Sequence, residues 1–207
     1  MLTILSQNTS DVNSGRAFAA LRDRYPTWES LASAKTRDLA RVIRPGGLSN
    51  VKAPRILAVL REIREREGEF DLGWMKEAPD REVTEYLTSL PGVGPKTAAC
   101  VLAFSLGRPA LPVDTHVHRV AGRLGLVPPG ANAAQAHGVL EAVVPARIRV
   151  SMHVGLIRLG REICKAGRPL CETCPLQDLC PSAEIFLGAS RAASEPSRNS
   201  RKTSKRA

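Results

Sequence analysis

Four cysteines, Cys164, Cys171, Cys174 and Cys180, fall within 17 residues, separated by six, two and five positions. Four soft thiolate ligands in one compact loop suit either zinc or an iron–sulfur cluster. Spacing alone leaves both open, although zinc ribbons favour two CxxC pairs and this block holds one. A second constellation is Leu90-Pro91-Gly92-Val93-Gly94-Pro95-Lys96. Two glycines behind a proline make a tight turn of bare backbone, and a helix beginning at Pro95 adds its positive end. Gly92, Val93 and Gly94 are therefore candidates for gripping a phosphate, with an ordinary helix–helix connection as the plain alternative. Lys96 would stand in the first turn of that helix. A normal lysine has a pKa near 10.4, so only about one in a thousand is a free amine near neutral pH. A helix N-terminus, neighbouring cations and partial burial all disfavour the ammonium form. Such a setting suits a nucleophile, and a phosphate-binding surface lysine is the simpler use. Asp114 follows Pro112-Val113 and precedes a helical run. Its spacing first suggests an N-cap; a carboxylate can also stabilise positive charge on a reacting sugar.

The elements that must position these groups read as helices almost throughout, with no convincing run of alternating β-branched residues. Residues 10–24 form one, ended by Tyr25-Pro26. In 53–67, Ile56, Leu57, Leu60 and Ile63 share a face, Arg61–Glu65 and Glu62–Arg66 pair on the other, and Gly68 stops the helix. Asp80 caps a helix to Ser89, Pro95 opens one to Leu106, and Asp114 caps one through Leu124. Asn132 with Gln135 resembles a capping box for 133–144. Pro145 opens a longer helix to about Lys165. The fifth cysteine, Cys100, lies in the apolar stretch AACVLAF and reads as core. From 188 onward Ser, Arg, Asn and Lys dominate, and the expectation there is disorder. No internal repeat at a fixed period is present.

These motifs together resemble the helix-hairpin-helix DNA glycosylase superfamily, specifically its endonuclease III group. LPGVGPKTA (90–98) is similar to that family's hairpin, and PVDTHVHRV (112–120) to the loop with its essential aspartate. The block at 164–180 resembles its [4Fe-4S] loop. LSQNTSD (5–11) and GGLSNVKA (46–53) resemble its DNA-inserting segments. The likeness is colinear over residues 1–185. It implies an all-α, two-lobed fold: a helical lobe over 1–108 ending in the hairpin, a cluster lobe over 109–185, and a disordered basic tail over 186–207. DNA would lie across the cleft between the lobes.

The resemblance also implies roles. Lys96 attacks C1′ of the damaged nucleotide, and the imine that follows allows β-elimination of the strand. Asp114 activates that amine and stabilises the sugar's positive charge. Cys164, Cys171, Cys174 and Cys180 hold the [4Fe-4S] cluster, whose loop presents Lys165 and Arg168 to phosphates. Gln7 fills the hole left by the extruded base, Leu48 wedges the opposite strand, and His116 lies near the site. Adenine-specific mismatch glycosylases of the superfamily typically carry serine where Lys96 stands. Family members usually begin with a further helix, whereas this chain starts six residues before Gln7. Either the start is displaced or the cluster lobe is built without that helix.

The bulk properties agree. The net charge is +10, from 30 Lys and Arg against 20 Asp and Glu, which suits a polyanionic partner. Residues 188–207 hold six basic residues and one acid, Glu195. No apolar run is long enough to span a membrane, and the opening residues lack a secretory pattern. The expectation is a cytoplasmic, nucleoid-associated monomer acting on double-stranded DNA with a damaged base or an abasic site. Oxidised or ring-saturated pyrimidines are the substrate class that the resemblance implies. Two rivals stay open: a thymine or adenine mismatch glycosylase of the same superfamily, and a non-enzymatic helix-hairpin-helix DNA-binding module.

Overall fold

The computed structural model describes residues 1–194, and every regular element among them is helical. Among the described residues, no helix is long and apolar enough to cross a membrane. The chain divides into two compact units. The first holds Met1–Pro112 and Val144–Val150; the second holds Val113–Val143 and the described residues from Ser151 onward.

In the first unit, α1 (Leu2–Leu5), α2 (Asp11–Arg24), α3 (Trp28–Ala32) and α4 (Thr36–Val42) gather around α5 (Ser49–Glu67). Ser10 caps α2 by accepting from the Asn13 amide, and Tyr25-Pro26 ends it, as its sequence indicates. α5 buries Ile56, Leu60 and Ile63, part of the face expected of it, and closes on left-handed Gly68. It starts four residues earlier than expected, from Leu48. Pro54 lies inside the helix. The helices α6 (Asp80–Ser89) and α7 (Pro95–Phe104) pack together and flank the hairpin. Cys100 is buried on α7. Residues 144–150 join this unit through Val150, which packs on its core, and Arg149, whose guanidinium donates to the carbonyls of Val144 and Pro109.

In the second unit, α8 (Thr115–Arg123) packs on α9 (Ala133–Val143), burying Val117, Val120, Ala136 and Leu140. Asn132 accepts from the amides of Ala134 and Gln135 while Gln135 returns a bond to the Asn132 amide, so the expected capping box is present. The single helix expected over 145–165 is instead a 3₁₀ turn, Ala146–Ile148, followed by α10 (Arg149–Glu162). Pro145 lacks the amide and enters in an extended conformation, which tightens the first turn. The last described helix, α11 (Ala183–Ser194), corrects the expectation of disorder from 186–188 onward as far as Ser194. Its alanine- and leucine-containing run favours a helix, and Phe186 lies 4.5 Å beneath the Arg123 guanidinium. The rest of the expected tail, 195–207, lies outside the described residues.

Candidate functional site

The hairpin between α6 and α7 is built from its backbone outward. Leu90 ends α6 in an extended conformation, and the Val93 amide donates to the Leu90 carbonyl at 3.1 Å. Gly92 has φ +71°, a left-handed conformation that costs a residue with a Cβ about 1–2 kcal/mol. Val93 turns inward and is buried, while Gly92 and Gly94 face solvent. The amides of Gly92, Gly94 and Lys96 have no acceptor among the described residues. The structure therefore leaves this turn as a set of outward N–H groups at a helix start, the arrangement that binds an anionic oxygen. Lys96 is the second residue of α7, after Pro95 at its first position, and is half-buried.

One group that the sequence reading passed over meets this hairpin. The Arg55 side chain of α5 covers Gly92 so closely that a Cβ there would overlap its Nε and Cδ. The same guanidinium donates to Gln7 Oε1 at 2.9 Å, and Gln7 Nε2 donates to Thr97 Oγ1 at 3.1 Å. Gln7 is thus held between α5 and the residue after Lys96, in the first unit. Arg55 and Gln7 are 48 positions apart in the chain, and no local pattern announces the pair. Leu48 lies just before α5. It is 53% exposed and has φ 49°, an uncommon conformation for a non-glycine residue, as the N-cap of α5.

In the second unit Asp114 caps α8: its Oδ1 accepts from the Val117 amide at 2.8 Å. The other carboxylate oxygen takes no hydrogen bond among the described residues. His116 faces α10 instead of standing free. Its Nδ1 is 3.2 Å from Arg119 Nη2, and a Cβ on Gly160 would sit 3.0 Å from the His116 Cβ. Arg119 also donates to the carbonyls of Gly160 and Cys164. With Arg119 as donor, Nδ1 is the acceptor and the proton belongs on Nε2.

The four loop cysteines line one pocket together with Arg123 and Phe186. Each is partly buried, and none is in a disulfide. Arg123 secures the loop to α8: its guanidinium donates to Cys164 Sγ at 3.2 Å and to the carbonyls of Lys165 and Ala166. Burial and then the neighbouring Cys164, Cys174 and Cys180 push the Cys171 thiol up, against the pull of Arg123. Four thiolates that repel one another need a cationic centre. Four thiol donors lining one pocket form a donor set that fits an iron–sulfur cluster.

Comparison with known proteins agrees with this geometry. Residues 1–145 match the family model described as HhH-GPD superfamily base excision DNA repair protein. Residues 164–180 match the iron–sulfur binding domain of endonuclease III. The endonuclease III of Thermotoga maritima is 38% identical over 178 residues, which is 86% of this chain and 79% of that protein. Two solved endonuclease III–DNA structures, a non-covalent complex and a trapped covalent intermediate, superpose with TM-scores of 0.76. They share 29% and 30% identity, and each comparison covers 90% of this chain and 83% of the other.

Proposed function

The chain belongs to the helix-hairpin-helix superfamily of base excision DNA repair proteins and to its endonuclease III group, and on that premise we propose that it excises oxidised pyrimidines from duplex DNA and then cuts the abasic strand. It is a DNA glycosylase that carries an iron–sulfur cluster. The observation that carries the two-step reading is a lysine at the second position of the helix behind a bare-backbone hairpin.

Lys96 supplies the amine. Its Nζ bonds to C1′ of the damaged nucleotide as the glycosidic C–N bond breaks, and the base leaves with the bonding electrons and takes up a proton. The ring-opened imine acidifies C2′. Loss of that proton expels the 3′ phosphate, and water then releases the lysine. Asp114 stabilises the sugar while it carries positive charge, using the oxygen that the helix cap leaves over. The amides of Gly92, Gly94 and Lys96 grip a backbone phosphate, Gln7 and Leu48 enter the stack, and His116 supports the site through Arg119.

Cys164, Cys171, Cys174 and Cys180 would hold the cluster, which would tie their loop together. Arg123 holds that loop on α8, and exposed Lys165 and Arg168 bring their charge to phosphates. Cys174→Ser should therefore lose iron and its broad visible absorption, and should lower DNA affinity by about tenfold or more. Iron analysis and equilibrium binding check this; full affinity without iron would remove the loop from the DNA surface.

The substrate class is tested with purified, cluster-loaded protein on defined duplexes. Those bearing thymine glycol or an oxidised cytosine should be cut. Duplexes with a G·T mismatch, or with adenine opposite an oxidised guanine, should stay intact. Preference for a mismatch would overturn the pyrimidine-damage reading, and tight binding with no base released from any duplex would favour the non-enzymatic module. The protein is proposed to act as a monomer.

A further inference from the structure

Lys52 is 2% exposed, and lysine is almost never buried to this degree without partners. Its Nζ donates to the Leu5 carbonyl at 2.7 Å and to the Gly46 carbonyl at 2.8 Å. Leu5 ends the single turn of α1, and Gly46 ends the 3₁₀ turn Arg44–Gly46. Both carbonyls therefore sit at helix ends, where the backbone supplies few partners of its own. Two residues beyond Leu5 is Gln7, and two beyond Gly46 is Leu48. Each segment then enters left-handed backbone, at Asn8 in the first and at Gly47 and Leu48 in the second. A single buried amine thus joins the bases of two strained tips. Burial pushes the amine's pKa down, but both of its protonation states keep enough N–H groups for the two carbonyls.

We propose that Lys52 is a positioning residue for base extrusion, tying the segments that carry Gln7 and Leu48 at a fixed spacing so that both side chains enter the DNA stack together. This rests on the reading of Gln7 and Leu48 as inserted residues. Extruding a nucleotide costs unstacking energy, and two tips that had to order independently at that moment would add their own entropy to it. Lys52 lies in the first turn of α5, directly after Leu48, so the longest helix of the first unit carries the tie. In the free protein the Gln7 amide rests on Arg55 and Thr97. That side chain swings away on insertion, while the backbone beneath it stays fixed through Leu5.

The test uses the full-length, cluster-loaded protein with Lys52→Met and Lys52→Gln. One substrate is a duplex with thymine glycol opposite 2-aminopurine; the other is a single strand with an abasic site, which has no partner stack to open. Single-turnover excision from the duplex should fall at least about tenfold, because extrusion limits it there. The 2-aminopurine fluorescence change on binding should shrink with it, and cleavage of the abasic single strand should fall much less. Equal losses on both substrates, tracking a lower Tm, would reduce Lys52 to a structural pin and overturn the proposal. So would an unaltered duplex rate. Lys52→Gln keeps a donor for one carbonyl and carries the same comparison if the Met variant does not fold. Gln7→Ala and Leu48→Ala separate the two readings. Full duplex excision in both would remove the insertion reading itself. Losses in these two without a loss in the Lys52 variants would remove the role of Lys52 alone.

Discussion

Lys96→Gln should lower both base excision and strand cleavage by at least about a thousandfold, the scale on which removal of a covalent nucleophile acts. Glutamine is polar and only one atom shorter, but it is neutral and cannot form an imine. Lys96 is only half-buried at the start of α7, and its neighbours Thr97, Ala98 and Ala99 carry the packing. Loss of the amine should therefore leave the melting temperature nearly unchanged. DNA affinity should also hold within about threefold, because the phosphate grip is spread over the hairpin amides and many cations. The checks are single-turnover rates at saturating enzyme and a separate binding titration. A variant that still cuts at the normal rate would mean that another group is the nucleophile. A parallel collapse of binding would make Lys96 a phosphate ligand.

Asp114→Asn should slow excision by about 10²–10³-fold, the cost typical of losing one charge-stabilising group aimed at the transition state. Asparagine caps a helix about as well as aspartate. The bond to the Val117 amide should survive in the Asn variant, so its stability should change little. Asp114→Ala loses the cap as well, and should be destabilised by a further ~1 kcal/mol. The pair of variants separates the two roles that the sequence left in competition. Slow excision in both, with a lower Tm in Ala only, is the expected pattern. Normal excision in Asp114→Asn would make the residue a cap and nothing more.

The hairpin was legible because it is local. Gly-Val-Gly behind a proline, with Pro95 opening a helix, announces its geometry within seven residues. The four cysteines were legible for the same reason. Helices with long apolar faces or clear caps, α2, α5, α8 and α9, could be read to within a few residues; α6 was placed correctly, but Asp80, expected as its N-cap, is its first helical residue and Pro79 stands at the cap with no side-chain bond. The short ones, α1, α3 and α4, could not: four to seven residues do not establish a period. The signal for α3 existed in its Thr27–Ser30 capping box, written with serine where glutamate or glutamine is the usual sign.

What stayed hidden is the support behind the site. Lys52 reaches Leu5 across 47 positions, and Gln7 reaches Thr97 across 90. Such bonds depend on how helices pack, and the type of a residue does not reveal it. Lys52 lies in the segment GGLSNVKA, and nothing local marks its side chain as buried. Arg119 and Arg123 stand four positions apart on α8, a spacing that puts both on one helix face, yet only the fold shows that this face meets the cysteine loop.

The most direct test of the central claim, imine formation at Lys96, is borohydride trapping of the wild-type, cluster-loaded protein on a duplex carrying one thymine glycol, followed by peptide mapping of the adduct. The expected result is a single covalent complex in which the sugar remnant is attached to the peptide containing Lys96. An adduct on the N-terminal amine or on another lysine would contradict the assignment. Release of the base with no trapped complex would contradict the covalent route altogether and leave a glycosylase that uses water.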